Sequence, residues 1–553
     1  MARTIVVIGG AGGGAAAAVR AREVDESARI VLVEKKARVS FVQAGLRYRL
    51  EAGATAPHTE TRTDEKAFFD RHRVEVRTST ECVRIDPESK RAVLESKTGN
   101  DAIRFDAAIF SGGAEMMRPD VDGLEHAPGF RSADDLAAIV KKKPAAPGGA
   151  RAVVLGAGPY GIDAAYGLRA AGFDVEIIER AQRVLPSLSL LGARAAERSL
   201  RADLPVHLGD EVLSARPLGE RTALTTRGGK KIDADLVVVA TGLRPSTDLL
   251  SEAGASLNGD GSVRTAPDMQ TTLPGVYACG TAVSVVHAVT RAPLWIPQAA
   301  IATRTSQVAG KNAADAKNPA LLPPLAGSAL YRVSDRRFGR TGLSETEARA
   351  LLTDERIVVI TIHGYAGEPW VGGDELCVRL VVDRKAESVV GGEVWGKEGV
   401  PRRLDLLSIA VEQAWSPGKL ADVDIAYSPT LGPAIDPLHI AARVAAETLH
   451  GEARPISAES LALRVMKREP MQIVDVGDVQ QGPHQVAWPD GTRALPLEKL
   501  REGLDSLPRD RPIVLVSRTG QRAYQAYRVL AQRGFDNAVH LDGGWLSYAL
   551  MID

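Results

Sequence analysis

Gly156-Ala157-Gly158-Pro159-Tyr160-Gly161 stands directly after the apolar run Ala152-Val153-Val154-Leu155. A second run, Val175-Glu176-Ile177-Ile178-Glu179, follows and ends on an acid. Strand, glycine turn, helix, strand and acid in that order are the fingerprint of a dinucleotide-binding unit. Glycine suits such a turn because a Cβ would hold a pyrophosphate away from the backbone amides and the helix N-terminus. Glu179 can accept a hydrogen bond from a free ribose 2′-hydroxyl, which leans toward NADH. Arg180 and Arg183 close by could instead meet the 2′-phosphate of NADPH, or simply form a solvated face. The pattern also occurs earlier, in Ile5-Val6-Val7-Ile8, then Gly9-Gly10-Ala11-Gly12-Gly13-Gly14, then Ile30-Val31-Leu32-Val33-Glu34. One chain therefore carries two similar units. Gly9, Gly10, Gly12, Gly13, Gly14 and Glu34 are the candidate cofactor residues of the first; Gly156, Gly158, Gly161 and Glu179 are those of the second. The run Leu236-Val237-Val238-Val239-Ala240-Thr241-Gly242 closes the second unit, and Gly242 joins the candidates. Two dinucleotide sites with an Ala-Thr-Gly segment between them predict FAD together with NADH or NADPH.

Composition sets the class. The chain has 553 residues, enough for three or four domains, and its 44% hydrophobic and 25% charged content is that of a globular protein. Lys plus Arg equals Asp plus Glu, so no net field favours nucleic acid or anionic lipid. The run at Ile5 is too early and too short for a secretory leader, and no stretch approaches the ~20 apolar residues of a membrane helix. Three cysteines at irregular spacing, Cys82, Cys279 and Cys377, argue against a disulfide framework or a metal site. The expectation is a cytoplasmic enzyme without nucleic-acid or membrane partners.

Beyond Pro319 the texture changes. Val358 to Ile362 and Leu376 to Val382 alternate like strands of an antiparallel sheet, and Leu404 to Gln413 and Ile440 to Leu449 have helical spacing. After a linker at Gly451 to Pro455, Ile473 to Val476 and Ile513 to Val516 predict a small α/β module. The expected organisation is α/β. Two Rossmann-like domains bind FAD (1–118 and 245–322) and NAD(P) (119–244). An α+β domain (323–450) and a C-terminal α/β domain (455–553) follow. Lys141 to Gly149 is the expected hinge between the first two.

Ser40-Phe41-Val42-Gln43-Ala44-Gly45-Leu46-Arg47-Tyr48 resembles the Ser-Phe-x-x-Cys-Gly-Leu-Pro-Tyr signature of coenzyme A-disulfide and persulfide reductases. Tyr277-Ala278-Cys279-Gly280-Thr281-Ala282 resembles that family's second flavin motif, Tyr-Ala-x-Gly-Asp-Ala. Gly392-Glu393-Val394-Trp395-Gly396 and Tyr427-Ser428-Pro429 resemble its dimerisation domain, and Ser517-Arg518-Thr519-Gly520-Gln521-Arg522 resembles the Cys-x-x-Gly-x-Arg loop of a rhodanese domain. The resemblance spans nearly the whole chain. It implies a homodimer, a flavin site including Gly280 and Thr281, a coenzyme A site at Arg20, Arg22, Ser40 and Phe41, and a tyrosine, Tyr427, lent to the partner's active site.

Several positions depart from the family pattern. Ala44 stands where the family has its redox cysteine, and alanine is neither nucleophile nor leaving group. Ser517 replaces the rhodanese cysteine, and a hydroxyl carries sulfane sulfur poorly. Thr281 replaces the aspartate that holds the ribityl chain, and Gly477 replaces an arginine. Arg47 replaces a proline, either adding a cation beside the site or lying on the surface. Cys279 is expected to be a buried, unreactive thiol, and Cys82 and Cys377 to be packing residues. The rhodanese loop retains an arginine and backbone amides that could form an anion nest. The leading expectation is an FAD-dependent NAD(P)H oxidoreductase that passes electrons from reduced flavin to a small acceptor such as a coenzyme A thioester, a quinone or oxygen. Its rhodanese-like domain would be non-catalytic. Two alternatives stand beside it. One is a redox-inactive coenzyme A- or nucleotide-binding protein. The other is a persulfide reductase with engineered cysteine losses, which Arg47, Thr281 and Gly477 do not suit.

Overall fold

A computed structural model describes residues 2–40, 45–52, 65–144, 149–477 and 488–552. The chain forms two compact units: Met1–Gln182 with Leu204–Leu325, and Arg183–Asp203 with Ala326–Asp553.

The first unit contains two parallel sheets. In one, β1 (Thr4–Ile8) lies between β2 (Arg29–Val33) and the strand Ala107–Phe110, with Glu75–Arg77 and Val276–Ala278 at the edges. In the other, β3 (Arg151–Leu155) lies between β4 (Asp174–Glu179) and Leu236–Val239, with Val206–Leu208 outside β4. The strands are continuous Val, Ile and Leu runs because both sheet faces are covered. Helix α1 (Gly12–Val24) follows β1 and α3 (Pro159–Ala170) follows β3. A short α2 (Leu46–Ala52) starts immediately after position 45. Two antiparallel meanders, Thr80–Asp86 to Gly99–Arg104 and Val212–Leu218 to Lys231–Ala234, escaped the sequence reading. Their strands are half exposed and polar, so no apolar run marks them.

In the second unit, β5 (Ile357–Tyr365), β6 (Glu375–Asp383) and β7 (Ser388–Gly396) pair antiparallel. They continue into Arg336–Gly342 and Ala329–Val333. Helices α4 (Val400–Glu412) and α5 (Pro437–Leu449) follow. The expected alternation of buried and exposed positions is absent: β6 and β7 are buried almost end to end. One face, with Gly364 against Pro437 and Gly392 against Leu407, packs on the helices. The other carries Thr361, Arg379 and Glu393 in one row and His363, Cys377 and Trp395 in the next, and is covered by the C-terminal module and by residues 183–203. That module is a parallel sheet ordered Pro455–Ile456, Ala538–Leu541, Ile513–Val516, Gln472–Asp475, Arg493–Ala494. Residues 183–203, which the sequence places within the NAD(P) stretch, pack here. The Ser189 amide and hydroxyl donate to Glu393 at 2.5 and 2.6 Å.

The covering seam is polar. Asp542 accepts the Thr361 amide at 2.5 Å, Ser547 meets His363 Nε2 at 3.0 Å, and Gln521 donates to the His363 carbonyl. Arg379 donates to Thr361 Oγ1 and pairs with Glu345, with Glu459 at 3.5 Å. Burial pushes the Asp542 carboxyl up to about 8 and the His363 imidazole down to about 4. A raised carboxyl stabilises the fold below its unfolded pKa, and that contribution fades as pH climbs to the folded value. Buried neutral His363 and His540, the latter lowered to about 3, act in the opposite sense but only below pH 6.5. Between pH 6.5 and 8, stability is therefore expected to fall by roughly 2 kcal/mol at most through Asp542. Denaturant titrations across that window should show the slope in the native chain and a flat profile in Asp542→Asn.

Candidate functional site

The two glycine turns are built alike. Glu34, at the tip of β2, accepts the Gly10 amide at 2.6 Å and the Lys36 amide at 2.8 Å. Glu179, at the tip of β4, accepts the Ala157 amide at 2.6 Å and the Ala181 amide at 2.7 Å. Each carboxylate thus ties a glycine turn to its neighbouring strand while keeping lone pairs for a ribose hydroxyl. Gly9 and Gly156 both take left-handed φ, +97° and +110°. A Cβ on Gly14 would overlap the Gly9 carbonyl, and one on Gly161 the Gly156 carbonyl. These glycines are required by close packing of helix on turn. Gly158 differs, since a Cβ there would meet no protein atom.

Both helices begin without a side-chain cap and without an acid in the first turn. Amides of Gly12, Gly13 and the start of α3 are therefore left for an anion. The open volume at Gly158 and these uncapped termini fit dinucleotide phosphates. Gly13 lies against Ser111 and Gly280, so the start of α1 faces the turn that carries Thr281. Gly280 has φ +81° and donates to Thr305 Oγ1. Gly242 also has positive φ, and its carbonyl accepts the Met117 amide.

A residue the sequence reading missed stands beside Thr281. Arg131 is 6% exposed and donates through Nε to the Ala114 carbonyl at 2.7 Å, through Nη1 to Tyr160 Oη at 3.1 Å and through Nη2 to Thr281 Oγ1 at 3.4 Å. Its ring neighbour Tyr160 donates to the Pro297 carbonyl, and Trp295 donates to the Thr281 carbonyl. Arg131 is held by a capping box, in which Ser132 caps the helix Ala133–Lys141 and Asp135 accepts the Ser132 and Arg131 amides. The Ser132-x-x-Asp135 spacing was the available signal.

The coenzyme A positions divide. Arg20 is partly exposed and pairs with Glu23. Arg22 is not available: its guanidinium donates to the carbonyls of Asp25, Glu26, Ala28 and Arg73, closing the end of α1. Ser40 takes φ +60° and its amide donates to the Gly10 carbonyl, which ties this segment to the first glycine turn. Phe41 and Ala44 lie outside the described residues, as do 145–148 of the expected hinge. For Arg47 the reading as a surface residue is corrected. It is 3% exposed and pairs with Glu51 at 2.7 Å and Asp163 at 3.2 Å, its guanidinium over the Tyr166 ring. It is thus a clamp between α2 and α3.

Tyr427 is 57% exposed, with Leu431 and Ile435 exposed beside it in sequence. Ser517 is 2% exposed, and its hydroxyl accepts the Ala523 amide. In the expected anion nest the arginine is already engaged. Arg522 pairs with Glu498 and donates to the Val476 carbonyl, and Arg518 pairs with Glu375. The carbonyls of Ser517 and Arg518 are taken by the Trp545 and Leu546 amides. At Gly477 the amide donates to Asp475. All three cysteines are buried, and burial pushes Cys82 up to about 12, Cys279 to about 11 and Cys377 well above its ordinary value.

Twin glycine turns, twin acids and the sheets that carry them define a two-dinucleotide oxidoreductase. The chain belongs to the pyridine nucleotide-disulphide oxidoreductase family, matched over residues 3–304, a family of FAD-dependent NAD(P)H oxidoreductases. Residues 330–438 match its dimerisation domain and 462–550 a rhodanese-like domain. Among relatives, a NADH oxidase of Methanocaldococcus jannaschii is 28% identical over 80% of this chain and 99% of its own. An NAD(P)H coenzyme A polysulfide/persulfide reductase of Pyrococcus horikoshii is 27% identical over 80% and 98%. The solved structure of reduced CoADR-RHD from Bacillus anthracis covers 100% of this chain and 98% of its own, at 25% identity and a TM-score of 0.92.

Because Arg47 is buried and bridges two helices, Arg47→Ala should lower stability by about 2 kcal/mol, which a denaturant midpoint will read. Glu51 and Asp163 are partly solvated, so the loss stays below that of a fully buried pair.

Proposed function

We propose that this protein is an NAD(P)H oxidoreductase that passes electrons from its flavin directly to a small acceptor, without a thiol relay. The supporting observation is that the chain's three cysteines are all buried, with raised pKa values, and position 44 is alanine. Thiol–disulfide exchange needs an accessible thiolate on the protein. When bound, FAD would take hydride from the nicotinamide and hand electrons onward. Glu34 and the start of α1 would hold its adenosine ribose and phosphates, with Gly280 and Thr281 along the chain between phosphate and ring. Glu179 and the start of α3 would hold the NAD(P)H. Glu179 is an acceptor already fixed by two amides, which suits a 2′-hydroxyl and repels a 2′-phosphate, so NADH is favoured. Arg183 donates to the Pro186 carbonyl, which leaves Arg180 as the exposed cation nearby.

Among acceptors, oxygen is supported by the name of the Methanocaldococcus relative, and a coenzyme A derivative by those of the Pyrococcus and Bacillus proteins. With Arg22 committed elsewhere, Arg20 and Ser40 remain as coenzyme A contacts in the described residues. The exposed loop around Tyr427 and the match to a dimerisation domain support a homodimer that lends Tyr427 across. The C-terminal module, with Ser517 buried and both loop arginines paired, serves as a packing element.

Anaerobic addition of NADH should bleach the flavin. Coenzyme A disulfide given with NADH should release no thiol above blank in a chromogenic thiol assay, while oxygen or a quinone restores the flavin colour. Stoichiometric thiol release would overturn the proposal. In the same assay kcat/KM should favour NADH over NADPH by at least tenfold, and Glu179→Ala should narrow that ratio.

A further inference from the structure

Glu176 and His207 break the apolar pattern of their sheet. A parallel sheet covered on both faces is built from apolar strands, and Val153, Ile178 and Val206 beside these two residues are buried aliphatics. Register sets Arg151 opposite Asp174 and His207 opposite Ile178. Side chains two apart on a strand share a face, so Arg151, Asp174, Glu176 and His207 all project to one side of the sheet. The meander that ends in Lys231–Ala234 covers that side, with Ile232 packed in one cluster with Val153 and Ile178. At this place lies a cavity of about 360 Å³, lined by those four polar residues together with Lys230 and Lys231.

The polar groups are aligned. Glu176, 6% exposed, meets His207 Nε2 at 2.9 Å and Arg151 Nε at 2.8 Å. Lys230 Nζ lies 2.7 Å from His207 Nδ1. An ammonium can only donate, so Nδ1 accepts and Nε2 carries the proton given to Glu176. An amine, a base within hydrogen-bond reach of it and a carboxylate that orients the base form the arrangement by which a weak nucleophile is activated. Lys230 is exposed, so a reagent can reach it. The Arg151 Nη groups and the Lys231 ammonium donate to no acceptor among the described residues. A guanidinium fork and an ammonium on one cavity suit a phosphate dianion.

We propose that Lys230 is an acylation site for small acyl phosphates, activated by His207 and Glu176, with Arg151 and Lys231 holding the phosphate. His207 takes one proton from the ammonium, and the imidazolium so formed faces Glu176. The freed lone pair attacks the acyl carbon. A C–N bond forms, the C–O bond to the phosphate breaks, and phosphate leaves with the electron pair. The second proton of the nitrogen goes to the departing phosphate, which leaves a neutral amide and no net oxidation. A coenzyme A thioester carries no dianion beside its reacting carbon and would not be held in this way.

Full-length protein is incubated with acetyl phosphate near neutral pH, and acetylation of each lysine is followed by peptide mass spectrometry. Exposed Lys97 and Lys141 serve as internal references. Lys230 is expected to react at least about tenfold faster than either reference, to saturate with acetyl phosphate, and alone to be slowed by inorganic phosphate. His207→Gln should bring Lys230 down to the reference rate, and the gap between native and variant should close as rising pH deprotonates amines unaided. Glu176→Gln still accepts from Nε2 but carries no charge to face an imidazolium, and should move the same profile to higher pH. Lys231→Gln, at an exposed position, should raise the acetyl phosphate concentration for half-saturation and leave the saturated rate unchanged. It carries the test if His207→Gln fails to fold. Acetyl-coenzyme A should show no preference for Lys230. A Lys230 that reacts no faster than the references would overturn the inference. So would a rate insensitive to phosphate and to Lys231→Gln, or an equal preference with the thioester.

Discussion

A carboxylate at the end of the second strand, accepting an amide from the glycine turn after the first strand, is the constraint on which this molecule is organised. It appears twice, at Glu34 on Gly10 and at Glu179 on Ala157, with near-identical lengths. Each bond crosses from one strand end to the next, so it sets the turn, the direction in which the helix starts and the mouth of the crevice together. Charge-assisted hydrogen bonds of this kind are about twice as strong as neutral ones, and here each carboxylate holds a second amide as well. With the acid saturated on one side by backbone, only its outer lone pairs face a ligand. A ribose hydroxyl placed there would meet a rigid acceptor, with little ordering left to be done on binding.

The constraint also separates two kinds of glycine. Gly9, Gly14, Gly156 and Gly161 are there because protein atoms press on them, and would be needed in an empty turn. Gly158 has no such neighbour, and no protein atom within 4 Å would oppose a Cβ there.

Much of this was legible in sequence because it is local. Apolar strands buried on both faces, glycine turns and strand-end acids occupy short contiguous stretches, and the strands at 4–8, 29–33, 151–155 and 174–179 follow from them. What escaped depends on distant partners. Nothing around Arg22 or Arg47 distinguishes a surface arginine from one that closes a helix end or clamps α2 to α3, because Arg73 and Asp163 are far along the chain. The alternation at Val358 and Leu376 suggested a half-exposed sheet, yet its polar face is buried by residues nearly two hundred positions later. Arg522 has the spacing of an anion ligand, but its partner Glu498 lies 24 residues earlier. Arg131 is illegible in the same way, because its partners Tyr160 and Thr281 lie far along the chain.

The seam around Asp542 gives the C-terminal module a structural part in the fold. Thr361, His363 and Arg379 sit on strands whose other side is already occupied by helices, and the C-terminal module roofs much of the face they share. Lifting it would expose an acid and a base tuned to a dry setting and rehydrate a row of paired charges. Whatever chemistry its loop performs, the module's shape shelters the neighbouring sheet.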